Sequence, residues 1–184
     1  LYKKVSPNKE VPYGGFANEP QPNLFQKIAR FIRGNFFLPD PRKGWNKYAY
    51  QKACEIIQQE GIETVITTSP PHSTQLVGLK LKKKFSSIQW IADLRDPWTE
   101  IYYNKDLYQT QWAQNKNLRY ERSVLTHADN IITVSDDCAK LFNQKVATEL
   151  PITVLPNGYD PDDFAHPNTI PSNGKKVLSY VGVF

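Results

Sequence analysis

The chain has 184 residues and a formal net charge of +5, with 23 Lys and Arg against 18 Asp and Glu. That length suffices for one well-packed domain or parts of two, and no apolar run is long enough to span a bilayer. Cys54 and Cys138 have no metal spacing and no CxxC, which excludes a disulfide framework and points to free thiols in a reducing, cytoplasmic setting.

Residues 5–22 are rich in Pro, Asn and Gly and read as irregular surface chain. Asn23 is placed to cap a helix from Leu24 to about Phe36, with Leu24, Phe25, Ile28, Phe31 and Ile32 on one face and Lys27, Arg30 and Arg33 on the other. Pro39-Asp40-Pro41 forces a break. A second helix is expected over 45–60, with Tyr48, Ala49, Ala53, Ile56 and Ile57 inward and Gly61 ending it.

From there strands and helices alternate. Strands are predicted at 62–68, 88–93, 130–134 and 152–155, with helices at about 72–84, 107–126 and 136–145 between them. The alternation predicts an α/β fold, a Rossmann-like parallel sheet with flanking helices. Right-handed crossovers would bring every strand's carboxyl end to one edge. Residues 161–174 read as a linker and 175–184 as the first strand of a following domain, so the expected divisions are 1–42, 43–160, 161–174 and 175–184. The absence of Met and the isolated last strand lead us to expect a fragment.

Each strand runs into a polar tag. The first is Ser69-Pro70-Pro71-His72-Ser73, a rigid turn into a helix whose serines can cap it and whose amide groups can meet a ligand oxygen. His72 either contacts a substrate or lies in the first helical turn. Asp93, Arg95 and Asp96 follow the second strand, where a carboxylate–guanidinium set can bind hydroxyls or phosphate, or act as base and charge stabiliser. A salt-bridged loop is the bland alternative, and Pro97 and Trp98 wall it. The aromatic stretch from Trp98 to Tyr120 suits sugar stacking, a membrane interface or core packing of the following helix. Asn157-Gly158 is either a hinge turn or a backbone contact to ligand. Neither GxGxxG nor a P-loop is present. The basic excess suits nucleotide or lipid phosphates, or merely solvated lysines, and no nucleic-acid partner is expected. The amphipathic helix at 24–37 and the Lys80–Lys84 cluster could touch an anionic membrane surface, against the alternative of a solvated face.

In order and spacing these tags resemble glycosyltransferase family 4. The resemblance rests on Ser69-Pro70-Pro71, on Asp93-Leu94-Arg95-Asp96-Pro97-Trp98, on Glu121-Arg122 and on Ala128-Asp129-Asn130 running to Ser135. It continues through Val154-Leu155-Pro156-Asn157-Gly158-Tyr159-Asp160 with Phe164, and Tyr180-Val181-Gly182, and covers about residues 40–184. It implies the two-domain GT-B architecture and retaining transfer of a sugar from a nucleotide-sugar donor to an acceptor hydroxyl, without a metal or other cofactor. The amino-terminal domain would bind the acceptor and the carboxyl-terminal one the donor nucleotide. Many family members carry a histidine at the end of the second strand; Arg95 holds that place here, resembling a subgroup with an Arg-Asp-x-Trp pattern that often acts on lipid-linked acceptors. The histidine's role does not carry over, and Arg95 and Asp96 are the catalytic residues expected in its place, Arg95 as a phosphate or hydroxyl contact and Asp96 or Asp93 as acceptor ligand. Ser69, His72, Asp93, Trp98, Ser135, Asn157 and Gly158 are the implied substrate contacts. The competing readings are a non-catalytic sugar- or lipid-binding module and a GT-B nucleotide-sugar epimerase.

Overall fold

The computed structural model describes residues 22–164, so the irregular segment before residue 22 and the strand expected at 175–184 lie outside the described residues. Two compact units divide these: the sheet and its helices up to Pro156, and a short piece from Asn157 onward. In the latter, a 3-10 turn spans Pro161–Phe164, and the Asp160 carboxylate accepts from the Asp162 amide at 3.0 Å.

Helix α1, Leu24–Phe36, starts as predicted. Asn23 and Gln26 form a reciprocal capping box, each side chain accepting from the other's backbone amide at 2.8 Å. Its orientation is the reverse of an ordinary surface helix. The buried positions are Arg30, Gly34 and Asn35, while Leu24, Phe25, Ile28, Ile32 and Phe36 face outward. The reason lies in two contacts with residues 107–110. Asn35 Oδ1 accepts from both the amide and hydroxyl of Thr110 at 2.7 Å, and Asn35 Nδ2 donates to the Tyr108 carbonyl at 3.1 Å. Gly34 lies so close to Leu107 that a Cβ would stand 2.3 Å from its carbonyl oxygen. The polar stripe is therefore the packing face.

A 3-10 turn at Pro41–Trp45 leads into α2, Asn46–Glu60, which ends on Gly61 at a φ of 63° as its sequence predicts. The inward stripe is rotated from expectation. Cys54 and Ile57 pack with Ala49, Tyr50 and Ala53 against the next helix, and Tyr48 and Ile56 are exposed.

Strands β1 (Thr64–Ser69), β2 (Gln89–Leu94), β3 (Asn130–Thr133) and β4 (Ile152–Val154) form one parallel sheet in chain order, with Ser69 opposite Leu94 and Leu94 opposite Thr133. The connecting helices are α3 (Ser73–Lys84), α4 (Gln111–His127) and α5 (Asp136–Asn143). This is the predicted α/β Rossmann-like domain. The core fills the helical side of the sheet with Trp90, Ala92, Leu94 and Ile131, under Leu79, Val124, Leu125 and Phe142. Gly78 makes the close approach possible, since a Cβ there would sit 2.2 Å from the Trp90 indole nitrogen. Asp129 sets the start of β2: its carboxylate accepts from the Trp90 amide at 2.7 Å and pairs with Lys82 at 2.8 Å. Burial alone would raise the Asp129 pKa, but these hydrogen bonds outweigh it and hold the group below its ordinary value.

The segment after β2 departs from expectation. A 3-10 turn spans Tyr102–Leu107, Tyr108 adopts a positive φ of 46°, and α4 begins only after Thr110, whose hydroxyl accepts from the Ala113 amide. The left-handed residue ends one turn and lets Thr110 cap the next, which the aromatic spacing does not reveal.

Candidate functional site

The carboxyl ends of β1 and β2 are tied together by a buried polar network. The Trp90 indole donates to Thr67 Oγ1 at 2.8 Å, and Thr67 Oγ1 donates to Gln75 Oε1 at 2.6 Å. Gln75 Nε2 is within reach of the Thr67 carbonyl, Ser69 Oγ and the Asp93 carbonyl, at 3.0, 3.1 and 2.9 Å. Gln75 is fully buried, so each of these bonds replaces one that water supplied. The network fixes where the β1–α3 turn stands relative to the end of β2.

That turn is Ser69-Pro70-Pro71-His72, in which both peptide bonds preceding the prolines are cis, as is Leu38–Pro39. The start of α3 is not capped by its own serines. Asp40 reaches across from the segment after α1, accepting from the Ser73 amide at 2.7 Å and the Ser73 hydroxyl at 3.0 Å. The same carboxylate accepts from the Arg42 amide at 2.8 Å. An external carboxylate thus serves two helical starts.

These segments enclose a cavity of about 230 Å3. One wall is Arg33 and Gly34 of α1 with Phe37 and Leu38–Arg42 after it; another is Pro70, Pro71 and His72; the third is Trp98, Ile101, Tyr103 and Asn104, with Asn117 of α4. The His72 imidazole stacks on the Trp98 indole with ring centroids 5.0 Å apart. Trp98 Nε1, Asn117 Oδ1 and both His72 ring nitrogens are buried without a well-formed hydrogen bond. Asn104 Nδ2 donates to the Trp98 and Thr99 carbonyls at 3.1 Å, fixing that loop.

Burial drives the His72 pKa down to about 4, against the opposing pull of Asp40, Asp96 and the Pro97 backbone. The ring is neutral at physiological pH, able both to donate and to accept. Burial also raises the Tyr103 pKa, helped by Asp96 and opposed by Arg33. Burial lowers that of Arg33, with Tyr103 and Asp40 pulling the other way.

The other sequence-predicted residues are placed as follows. Ser69 is fully buried within the network and donates to the Asp93 carbonyl at 3.4 Å. Asp93 is buried; its Oδ2 accepts from Arg95 Nε at 3.1 Å while Oδ1 has no hydrogen-bond partner among the described residues. The Arg95 amide donates to the Ser69 carbonyl at 3.2 Å, and its side chain is half-exposed. Asp96 is partly exposed, and its charge acts on both His72 and Tyr103. Trp98 is buried in the cavity wall. Ser135 caps α5, its hydroxyl accepting from the Cys138 amide at 3.3 Å. Asn157 and Gly158 belong to the separate second unit, where both are exposed. Among the described residues no group of three His, Cys, Asp or Glu could hold a metal ion.

Sequence reasoning missed Asp40, Arg33, Asn104 and Asn117, and named Tyr103 only as part of the aromatic stretch. Asp40 carried one legible signal: an acid immediately before a proline reads as the cap of the turn that the proline opens, which is how it serves Arg42 but not how it reaches Ser73.

A second polar centre braces the loop from behind. Lys145 Nζ donates to Glu121 Oε1 at 2.6 Å, to Thr99 Oγ1 at 3.0 Å and to the Glu100 carboxylate, while Thr99 Oγ1 also donates to Glu121 Oε2 at 2.6 Å. Burial raises the Glu121 pKa, and Lys145 and Thr99 oppose it.

A parallel α/β sheet with helices packed on it and a cavity at its carboxyl edge defines a Rossmann-like domain. The family model described as Glycosyltransferase Family 4 matches residues 13–163, and the chain belongs to that family. Comparisons with curated proteins and with solved structures found no match.

Proposed function

We propose that this chain supplies the acceptor side of a retaining glycosyltransferase, acting in the cytoplasm in glycan or surface-polysaccharide synthesis. A following domain would grip the nucleotide-sugar. In the reaction the bond from the anomeric carbon to the nucleotide diphosphate breaks, a bond to the acceptor oxygen forms on the same face, and the acceptor proton leaves.

The observation that carries this reading, in a chain of this family, is the cavity at the carboxyl edge of the sheet, whose lining residues Arg33, Asp40, His72, Tyr103, Asn104 and Asn117 carry both hydrogen-bond donors and acceptors. A glycan or lipid-linked acceptor rich in hydroxyls matches such a set, because each hydroxyl both donates and accepts. Asp96 does not line the cavity itself, but its charge acts on His72 and Tyr103, which do, and in this reading it takes the acceptor's hydroxyl proton as the new bond forms. Arg95, half-exposed at the strand edge, meets the negative charge that develops on the departing diphosphate. No metal is assigned to the reaction.

The test is sugar transfer by the full-length protein over a panel of nucleotide-sugars. Arg95→Ala and Asp96→Asn should each lower kcat/KM by on the order of 100-fold or more with the fold retained by circular dichroism, although Arg95→Ala removes the partner of Asp93 and should unfold at a lower temperature. Near-wild-type turnover in both variants would sink the assignment.

A further inference from the structure

We infer that the outward face of α1 seats in the surface of an anionic lipid bilayer, bringing the adjoining cavity to the membrane. Two observations carry this beyond the transferase reading.

The first is the inverted orientation of α1. Leu24, Phe25 and Phe36 are 75%, 62% and 68% exposed, with Ile28 and Ile32 between them, whereas Arg30 is 4% exposed. An amphipathic helix packed by its polar stripe leaves its apolar stripe to a medium that welcomes it. Thirteen residues make about 20 Å of helix, too short to cross a membrane, and no helix among the described residues is long and apolar enough to do so. The helix would lie in the interfacial plane.

The second is charge. From residue 22 to 51 the basic residues outside the packed face are Lys27, Arg33, Arg42, Lys43 and Lys47, Arg30 being buried, and the lone acid is Asp40, already engaged by Ser73 and Arg42. Lys27 borders an apolar hollow formed with Ile28, Phe31 and Tyr108. Lys43 donates to the Phe36 carbonyl at the other end of the helix. Cations flanking an apolar stripe match an interface whose headgroups are negative and whose interior is hydrocarbon. Arg33 and Phe37 continue from this face into the cavity wall, which would let a lipid-borne acceptor reach the site without leaving the bilayer. The Lys80–Lys84 cluster is not part of this surface. It ends α3, about 18 Å of helix from the edge that carries the cavity, and Lys82 is engaged by Asp129 and the Ile88 carbonyl.

The test is flotation of the 184-residue chain with phosphatidylcholine vesicles, with and without phosphatidylglycerol, at low and high salt. Binding should require phosphatidylglycerol and weaken with salt. The triple variant Phe25→Gln, Ile32→Gln, Phe36→Gln should lose at least about tenfold in partitioning. Because these side chains are solvent-facing, circular dichroism should be unchanged. Lys83→Glu with Lys84→Glu should bind as the wild type does. No binding to the anionic vesicles, or equal binding by the triple variant, would overturn the inference. So would a dimer in solution that the triple variant dissociates, which would assign the face to a second copy. None of these outcomes bears on sugar transfer to a soluble acceptor, so the two readings fail separately.

Discussion

The imidazole of His72 lies flat on the indole of Trp98, with the ring planes 10° from parallel. One residue opens α3 and the other belongs to the loop after β2, so this stack joins the two segments that wall the cavity. Offset stacking of this kind contributes about 0.5–1.5 kcal/mol beyond the area buried. It also keeps water from the ring nitrogens, which is why His72 resists protonation.

That resistance has a consequence for stability. The His72 pKa is pushed from an ordinary 6.5 to about 4, so between those values the unfolded chain binds a proton that the folded one does not. Stability from this group is complete above about pH 6.5 and declines as pH falls toward 4, by up to about 3 kcal/mol. His72→Gln should be less stable than wild type at neutral pH and lose less on acidification. Urea unfolding of both proteins from about pH 7.5 to 4.5 measures the difference, and parallel pH profiles would remove His72 as its source.

Asp40 is predicted to matter more than its place in a loop suggests. Asp40→Ala leaves the Ser73 and Arg42 amides without their acceptor, and hydrogen bonds to a charged group contribute about 1.5–3 kcal/mol. Ser73→Ala removes only the hydroxyl contact and should cost about 1 kcal/mol. The double variant should be less destabilised than the sum of the two, since they share that bond. Denaturant midpoints of the three variants decide this. Strict additivity would show that the contact is not formed in solution.

The alternation of strands and helices was enough to read the parallel sheet, because β-rich runs ending in polar tags leave few other topologies. Asn23 and Gly61 likewise declared their helix ends by local chemistry, a capping side chain and a left-handed residue. What the pattern could not show was which side of α1 faces inward. Periodicity locates an apolar stripe, and the usual assumption buries it; here Asn35 and Gly34 make contacts more than seventy residues away that override it. The site was legible to the same degree. His72 and Trp98 lie in tags at strand ends, whereas Asp40, Asn104 and Asn117 reach the cavity from a break, a turn and a helix interior.

The brace behind the site yields the last prediction. The Glu121 side chain is fully buried and that of Lys145 nearly so, and their 2.6 Å ion pair holds Thr99 between them. Lys145→Met leaves a buried carboxylate without its cation, which should cost about 3–5 kcal/mol. The Glu121 pKa, already raised by burial, should then rise further. A folded-state pKa above the unfolded one stabilises at low pH and loses that benefit as pH rises, so the deficit should be largest near about pH 8 and shrink toward about pH 5. Lys145→Met with Glu121→Gln should recover a good part of the loss, because no buried charge remains. Urea unfolding at both pH values measures this. The loop offers a second readout: Thr99 and Glu100 lose their anchor while Asn104 still holds Trp98, so Trp98 fluorescence should shift toward that of a solvated indole in Lys145→Met. A variant as stable as wild type at both pH values, with unchanged fluorescence, would show that the pair does not brace the cavity wall.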